Sequence, residues 1–347
     1  MYNGMVEMKI AIYGAGAMGT VLGAFLADAG VAVDLVSRDR EHVAALKAAG
    51  ARIDGEIELR APPFDGAQGR GCALLPCEMR GKYDVVFLLT KQGGNAALGE
   101  TLGGFLSPGG AVCAMQNGIP EPALQAALGE GKVLGCICAW GATKTAPGAA
   151  RLTSKVGSMR FSLGAPDGGA RHMLDGVKEI LQKVCRTSVE GNFAGARWSK
   201  LLVNAAFSGV SAVTGYSFGE IARDRRARSL ALDVARECLD VCGAARIAVE
   251  PVGGRFPADF LRFESPMKKA LLSLLMPAAI RSHRATKSGM LKDLDRGVPC
   301  EIEAINGEVC RAGRKRGVPT PRNDWIVEMV HSIERGERGY GASNLGP

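Results

Sequence analysis

No Cys-x-x-Cys pair occurs among the ten cysteines (Cys72, Cys77, Cys113, Cys136, Cys138, Cys185, Cys238, Cys242, Cys300 and Cys310), and the four histidines lie far apart, so the local ligand spacing of a zinc site is missing and no metal is expected. Many of these thiols sit in apolar runs such as Cys136-Ile137-Cys138, where a small buried hydrophobe is the plain reading. Reduced thiols imply a cytoplasmic setting. Aromatic residues are scarce, at 5%, and no dense Lys/Arg run is interleaved with them. The net charge of +8 therefore lacks the clustered footprint of a nucleic-acid binder and suits an anionic cofactor and a carboxylate substrate instead. No apolar run is long enough to span a bilayer: the longest, residues 270–280, contains Pro277. Residues 1–8 carry Glu7 and no apolar stretch, so no signal peptide is read there and no membrane association is expected. Repeats and low-complexity segments are missing too.

What is present is ordinary globular composition, 47% hydrophobic and 22% charged, with 47 glycines. A length of 347 residues allows two domains. In the first part, short apolar strands alternate with helical patterns: strand 9–13, a glycine turn at 14–19, helix 20–30 and strand 31–36, then helix 41–49, strand 83–90, helix 95–106, strand 111–116 and strand 133–143. This βαβ order predicts a parallel sheet with helices on its faces. Residues 52–59 and 150–163 read as antiparallel additions. Past residue 190 helical patterns dominate, over 194–213, 218–245, 256–275 and 301–316, and the last dozen residues look frayed. The fold class expected is α/β: an N-terminal Rossmann domain over 1–190 and an all-helical domain over 191–347.

The turn Gly14-Ala15-Gly16-Ala17-Met18-Gly19 is a G-x-G-x-x-G placed between a strand and a helix. In that context the first glycine permits the tight turn, the second admits a pyrophosphate, the third lets helix and strand pack, and the helix N-terminus offers amides to the phosphates. A dinucleotide is expected, held by the turn. NAD enzymes place an acid after the second strand; here the order is Val36-Ser37-Arg38-Asp39-Arg40. Asp34 falls too early, inside the strand, and Asp39 reads as a helix cap. Ser37 and Arg38 can hold a 2′-phosphate, so the cofactor expected is NADPH.

Near the start of the second domain, Arg197-Trp198-Ser199-Lys200-Leu201-Leu202-Val203-Asn204 reads as helix and puts Lys200 and Asn204 on one face, toward an interdomain cleft. By spacing alone a solvated lysine with a capping or core asparagine stays open. In Pro299-Cys300-Glu301-Ile302-Glu303-Ala304-Ile305-Asn306-Gly307, Glu301 is a candidate for the same cleft, while Glu303 or Glu308 could equally be surface charges.

With these blocks the chain resembles the 2-dehydropantoate 2-reductase (ketopantoate reductase) family from residue 9 to about 330: the glycine turn, Leu89-Thr90-Lys91, Gln116-Asn117-Gly118, the Trp198 to Asn204 helix and the Glu301 to Gly307 segment, in order and at matching spacing. The resemblance implies reduction of a 2-oxo acid, 2-dehydropantoate or a close analogue, to the (R)-2-hydroxy acid with NADPH. It implies that Arg38 meets the 2′-phosphate, Lys91 the cofactor's phosphate or ribose, and Asn117 the nicotinamide ribose and the substrate. Lys200 would be the general acid, Asn204 a substrate-binding residue, and Glu301 would orient the substrate or product hydroxyl. Two positions depart from the family. Ser208 stands where an amide usually grips the substrate, and Gly289 where a serine usually stands, with Ser288 beside it as a substitute. Two weaker contacts to a carboxylate, at about 1.5–3 kcal/mol each, would shift substrate preference. A dehydrogenase for another branched or aromatic 2-oxo acid, of the D-mandelate dehydrogenase kind, is the alternative within the fold; a nicotinamide-binding regulator without turnover is the alternative outside it. Family members are monomers and homodimers.

Overall fold

The computed structural model of the chain describes residues 8–254 and 256–346, with Gln68 by its backbone alone; residues 1–7, on which the signal-peptide reading falls, lie outside the described residues. Chain contacts divide it into two compact units.

The first unit (residues 1–116 and 120–193) holds an eight-stranded sheet and a four-stranded one. The strands are β1 (Ile10–Tyr13), β2 (Val33–Val36), β3 (Arg52–Gly55), β4 (Leu59–Arg60), β5 (Ala73–Leu74), β6 (Tyr83–Leu88), β7 (Leu106–Ala114), β8 (Val133–Cys138), β9 (Ala142–Ala146), β10 (Ala149–Leu152), β11 (Arg160–Gly164) and β12 (Arg186–Val189). The helices are α1 (Ala17–Asp28), α2 (Arg40–Ala49), α3 (Asn95–Gly103), α4 (Glu121–Leu128) and α5 (Leu174–Gln182). The large sheet runs β12-β11-β8-β7-β6-β1-β2-β5 and is parallel apart from the β8/β11 pair. Its central strands are continuous apolar runs because helices cover both faces; every residue of β8 is buried. Tyr13 pairs with Val36 on one side and Leu88 on the other, so β1, β2 and β6 end at one sheet edge. That edge, where β1 is flanked by strands leading away in both directions, is where an open α/β sheet offers a ligand site.

The expected α/β order holds, with three corrections here. The strand read over 133–143 stops at Cys138, and β9 belongs to the small sheet, β4-β3-β10-β9. Pro147-Gly148, with Gly148 at φ +68°, turns the chain into the β9/β10 hairpin, a left-handed position that suits glycine. The addition read over 150–163 is antiparallel as expected but is two strands: β10 pairs antiparallel with β9 and parallel with β3 in the small sheet, and β11 joins the large one antiparallel to β8. Helices α4 and α5 and strands β5 and β12 were not expected.

The second unit (residues 117–119 and 194–347) is helical around one apolar core. Helix α6 (Phe193–Val203) runs into a π-helical turn over Asn204–Gly209 and on through α7 (Val210–Thr214), which ends at Gly215 in the left-handed region. The uninterrupted helix expected over 194–213 is thus widened at its middle. The helix expected over 218–245 is two, α8 (Phe218–Arg223) and α9 (Arg225–Ala244), because Asp224 leaves helical geometry to accept the amides of Arg226 and Ala227. Helix α10 (Pro266–Ala279) begins ten residues later than expected, where Ser265 caps and Pro266 fills the first turn. After α11 (Gly289–Leu294), α12 (Asn306–Arg316) also starts late, leaving residues 301–305 as turns, and α13 (Pro321–Glu334) closes the unit. No helix among the described residues is long and apolar enough to cross a membrane. Among the described residues the ten cysteines form no disulfide.

Candidate active site

In the first unit the glycine turn shows why each glycine is needed. Gly14 sits at φ +105°, and a Cβ there would lie 2.6 Å from the Thr90 amide. A Cβ on Gly19 would lie 2.4 Å from the Gly14 carbonyl. Gly16 is different: no chain atom comes within 4 Å of where its Cβ would be. Nothing in the protein demands a glycine at that exposed point, whereas a ligand backbone pressed against the turn would. Gly16 is also the N-cap of α1 and brings no side-chain cap, which leaves the first-turn amides at Ala17 and Met18 to an anion. Ala15 is spent on the fold; its methyl is buried and its N–H bonds to Val36 O at 2.9 Å.

A buried relay fixes this turn, and the sequence reading did not find it. The Gly148 N–H donates to His42 Nδ1 at 3.0 Å, so that nitrogen carries no proton and Nε2 carries it. Nε2 then donates to Thr20 Oγ1 at 3.0 Å, and Thr20 Oγ1 donates to Gly16 O at 2.6 Å. His42 is fully buried, and burial lowers its pKa to about 4, which keeps the imidazole neutral as the relay requires.

Beyond β2, Ser37 is half-buried and its Oγ accepts the Asp39 N–H at 3.3 Å, while Arg38 is exposed near the Tyr13 hydroxyl. Both nearby acids are committed elsewhere. Asp34 accepts from the Cys72 amide and the Tyr83 hydroxyl, each at 2.7 Å. Asp39 caps α2 through the His42 N–H at 3.0 Å, as expected, and its other oxygen pairs with Lys144 of β9 at 2.5 Å. Those contacts pull its pKa below the ordinary carboxyl range, the Lys144 hydrogen bond first. Lys91 is exposed just beyond β6, at the same edge. Buried Gln116 exchanges two hydrogen bonds with Asn95 (3.0 and 2.9 Å) and donates to Thr90 Oγ1, holding the ends of β6 and β7 beside it.

The second unit gathers the other candidates. Lys200, Val203, Asn204, Phe207 and Ser208 are half-buried along one stripe of the α6 to α7 rod, while Leu201, Leu202, Ala205, Ala206 and Gly209 are buried behind them. The π turn carries both Asn204 and Ser208. Such a turn inserts an extra residue in the repeat, leaves carbonyls without their α-helical partners, and is frequent at functional sites. One of those carbonyls, Ala205 O, accepts Asn306 Nδ2 at 3.2 Å; the same amide donates to Asn323 Oδ1 at 3.0 Å, and Asn323 donates to the buried Glu237 at 2.8 Å. A Cβ on Gly209 would lie 2.6 Å from Asn306 Oδ1, so the glycine makes room for this prop.

Asn306 opens α12, directly after the 301–305 turns, and so ties the segment of Glu301 to the segment of Asn204. Glu301 is half-buried and accepts Asn117 Nδ2 at 3.3 Å, which brings together residues 184 positions apart. The three acids left open by the sequence now separate. Glu303 and Glu308 both pair with Arg311, and Glu303 also meets His331 Nε2 at 2.9 Å. His331 Nδ1 meets Glu334 at 3.0 Å, and Glu334 accepts the Cys300 N–H at 2.8 Å. Glu301 is thereby bracketed by anchors on both sides. The Glu303 hydrogen bond is the largest effect on His331 and raises its pKa. Gly289 lies in open space, and Ser288 beside it is buried and caps α11 through the Leu291 N–H, so its hydroxyl is occupied by the fold.

The family model for ketopantoate reductase PanE/ApbA matches residues 10–166, and that for its C-terminal part matches residues 192–334. The chain belongs to the ketopantoate reductase family. Membership makes it an oxidoreductase. A 2-dehydropantoate 2-reductase of Mesorhizobium japonicum is 30% identical over 95% of this chain and 99% of that protein, and one of Pyrococcus horikoshii is 27% identical over 94% and 98%. Among solved structures, D-mandelate dehydrogenase with NADH and anilino(oxo)acetate overlays at TM-score 0.77 (22% identity, 95% of this chain and 99% of that one). A PanE/ApbA family ketopantoate reductase of Ralstonia eutropha overlays at 0.76 (24% identity, 95% and 99%). At that identity the overlays speak to the fold.

Proposed function

We propose that the chain reduces a 2-oxo acid, 2-dehydropantoate or a close analogue, to the (R)-2-hydroxy acid with NADPH. The observation that carries this is the half-buried Lys200, Asn204 and Ser208 stripe, in the same unit as the Asn117–Glu301 hydrogen bond. A cation, two polar groups and a carboxylate are what an anionic carbonyl substrate needs.

The glycine turn, with the open point at Gly16 and the amides at Ala17 and Met18, would hold the pyrophosphate. Ser37 and Arg38 would hold a 2′-phosphate, Lys91 a phosphate or ribose hydroxyl, and Asn117 the ribose next to the reactive ring. The commitment of Asp34 and Asp39 to other partners supports NADPH over NADH, since no free carboxylate is left there to hold the ribose hydroxyls. Bound, the cofactor supplies the hydride.

Asn204 and Ser208 hold the substrate carboxylate and carbonyl. Negative charge grows on the carbonyl oxygen as its carbon is reduced, and the Lys200 ammonium stabilises it and delivers the proton that completes the alcohol. Glu301, steadied by Asn117, Cys300 and Glu303, accepts a hydrogen bond from the hydroxyl and fixes its direction. Lys200→Ala should lower kcat by about 10²–10⁴-fold with the NADPH Kd little changed; equal turnover would remove Lys200 from the chemistry. Ser208 is shorter than the amide usual in the family and leaves room for a bulkier acid, as in the D-mandelate dehydrogenase reading. A substrate panel of 2-dehydropantoate, 2-oxoisovalerate derivatives and benzoylformate separates the two.

A further inference from the structure

A pair of buried amides lies where three cofactor segments of the chain come together. Asn95 opens α3, shortly after Lys91, and Gln116 follows β7 directly before Asn117. Both residues are only 4% exposed. Asn95 Nδ2 donates to Gln116 Oε1 at 3.0 Å, and Gln116 Nε2 donates back to Asn95 Oδ1 at 2.9 Å. This closed ring of two hydrogen bonds fixes both amide planes and decides which edge of each carries oxygen. The same Nε2 donates to Thr90 Oγ1 at 3.2 Å. Thr90 in turn lies against the glycine turn, where a Cβ on Gly14 would stand 2.6 Å from its amide nitrogen. The glycine turn, the Lys91 segment and the start of the Asn117 segment are thereby held to one another through Thr90, Asn95 and Gln116.

Stability alone does not call for this arrangement. Two apolar side chains of the same shape would hold the start of α3 against the end of β7 about as well, because hydrogen bonds made in the interior replace ones made to water. What the amide pair adds is direction. Each amide has one donor edge and one acceptor edge, so a neighbour that slides or turns leaves a buried polar atom without its partner. An apolar pair tolerates such a slide. Hydride transfer does not, since its rate falls steeply when the reacting atoms are misplaced by about 1 Å.

On the ribose role proposed above for Asn117, on which this inference rests, we propose that Asn95 is a positioning residue for the hydride step. It touches neither cofactor nor substrate; through Gln116 it sets where Asn117 meets the nicotinamide ribose. Without it the Gln116 amide turns freely and the step from β7 into Asn117 loosens. The reactive ring then spends less time at reacting distance, while the glycine turn and Arg38 still hold the rest of the dinucleotide.

Asn95→Asp tests this with an ionisable side chain of the same shape. As a carboxylate it accepts from Gln116 Nε2 but has no proton to offer Gln116 Oε1; as a neutral acid it donates to Oε1, accepts from Nε2 and closes the ring again. Burial favours the neutral acid and moves its titration above the ordinary carboxyl range. The kcat of the variant relative to wild type should therefore be about 10²-fold low at high pH and climb toward one as pH falls, with the KM for the oxo acid nearly unchanged. A ratio near one at every pH, or a loss that acid does not repair, overturns the positioning role. Should Asn95→Asp fail to fold, Gln116→Glu is the mirror exchange and must show the same repair by acid. Asn117→Ala separates the premise from the inference. Turnover and NADPH affinity equal to wild type in that variant remove the ribose role and the inference with it, whereas losses there beside an unaltered Asn95→Asp remove the inference alone.

Discussion

Replacing Asn306 by alanine should damage both stability and turnover, and the two effects separate. Its Nδ2 donates to Ala205 O at 3.2 Å and Asn323 Oδ1 at 3.0 Å, all in the buried interior of the second unit. Truncation strips both acceptors of that donor, at about 1–3 kcal/mol each. The Asn306 Oδ1 has no hydrogen-bond partner among the described residues, so its removal returns about 1 kcal/mol. The expected net loss is about 2–4 kcal/mol, or roughly 5–15 °C in Tm for a unit of this size. The Ala205 carbonyl, released, would let the π turn tighten toward regular helix and move Asn204 and Ser208 by an ångström or more. A misplacement of about 1 Å costs on the order of 10²-fold in rate. Thermal melts, NADPH titration and steady-state kinetics well below Tm measure the three quantities. Val330→Ala, a truncation of a fully buried residue on α13, is the control: it should cost comparable stability and leave kcat intact. If folded Asn306→Ala turns over like wild type, the amide supports the core and positions nothing.

Arg38→Ala should raise the NADPH Kd by about 10–100-fold, the worth of one charge-assisted hydrogen bond to phosphate, and leave NADH nearly unchanged; equal losses for both would dissociate Arg38 from the 2′-phosphate. Lys144→Met should lower the NADPH preference in the same direction, because Asp39 then loses its cation. His42 has a folded pKa of about 4, below its ordinary 6.5, so its contribution is whole above pH 6.5 and drains as pH falls toward 4. Melts between those limits should show a slope in wild type that His42→Gln flattens; identical slopes would discard the relay. His331 is raised, so its contribution is present below 6.5 and fades as pH climbs through the folded value. The KM for the oxo acid should rise over that upper window in wild type, and His331→Gln should start high and stay flat.

The parts legible in the sequence were those written in local pattern. The βαβ order, the glycine turn and the Asp39 cap each depend on neighbours a few residues apart. The split of residues 133–143 was missed because apolar content continues across Ala139-Trp140-Gly141, and only the Pro147-Gly148 dipeptide betrays the hairpin beyond. The site was half legible. Lys200 and Asn204 share a helix face by spacing, but Glu301 could be told from Glu303 and Glu308 only once Arg311 and His331 were seen to occupy the other two. Asn306, Asn323, Glu237 and the His42–Thr20 relay join residues from 17 to 106 positions apart, and no periodicity encodes such pairings. The π turn itself has no residue signature beyond Gly209.

Helical segments count residues, and the widened turn at 204–209 holds a count that loops do not. Deleting any single residue inside it would let the rod run as plain helix with its two ends still in nearly the same phase, because the wide turn already carries one residue more than the α-helical repeat needs. Lys200 and α7 would then both keep their seats, and the loss would fall on the bulge that carries Asn204 and Ser208. The rod should therefore fold with one residue fewer at this point yet present a different set of side chains there, so that a shortened chain would keep its core and lose its turnover.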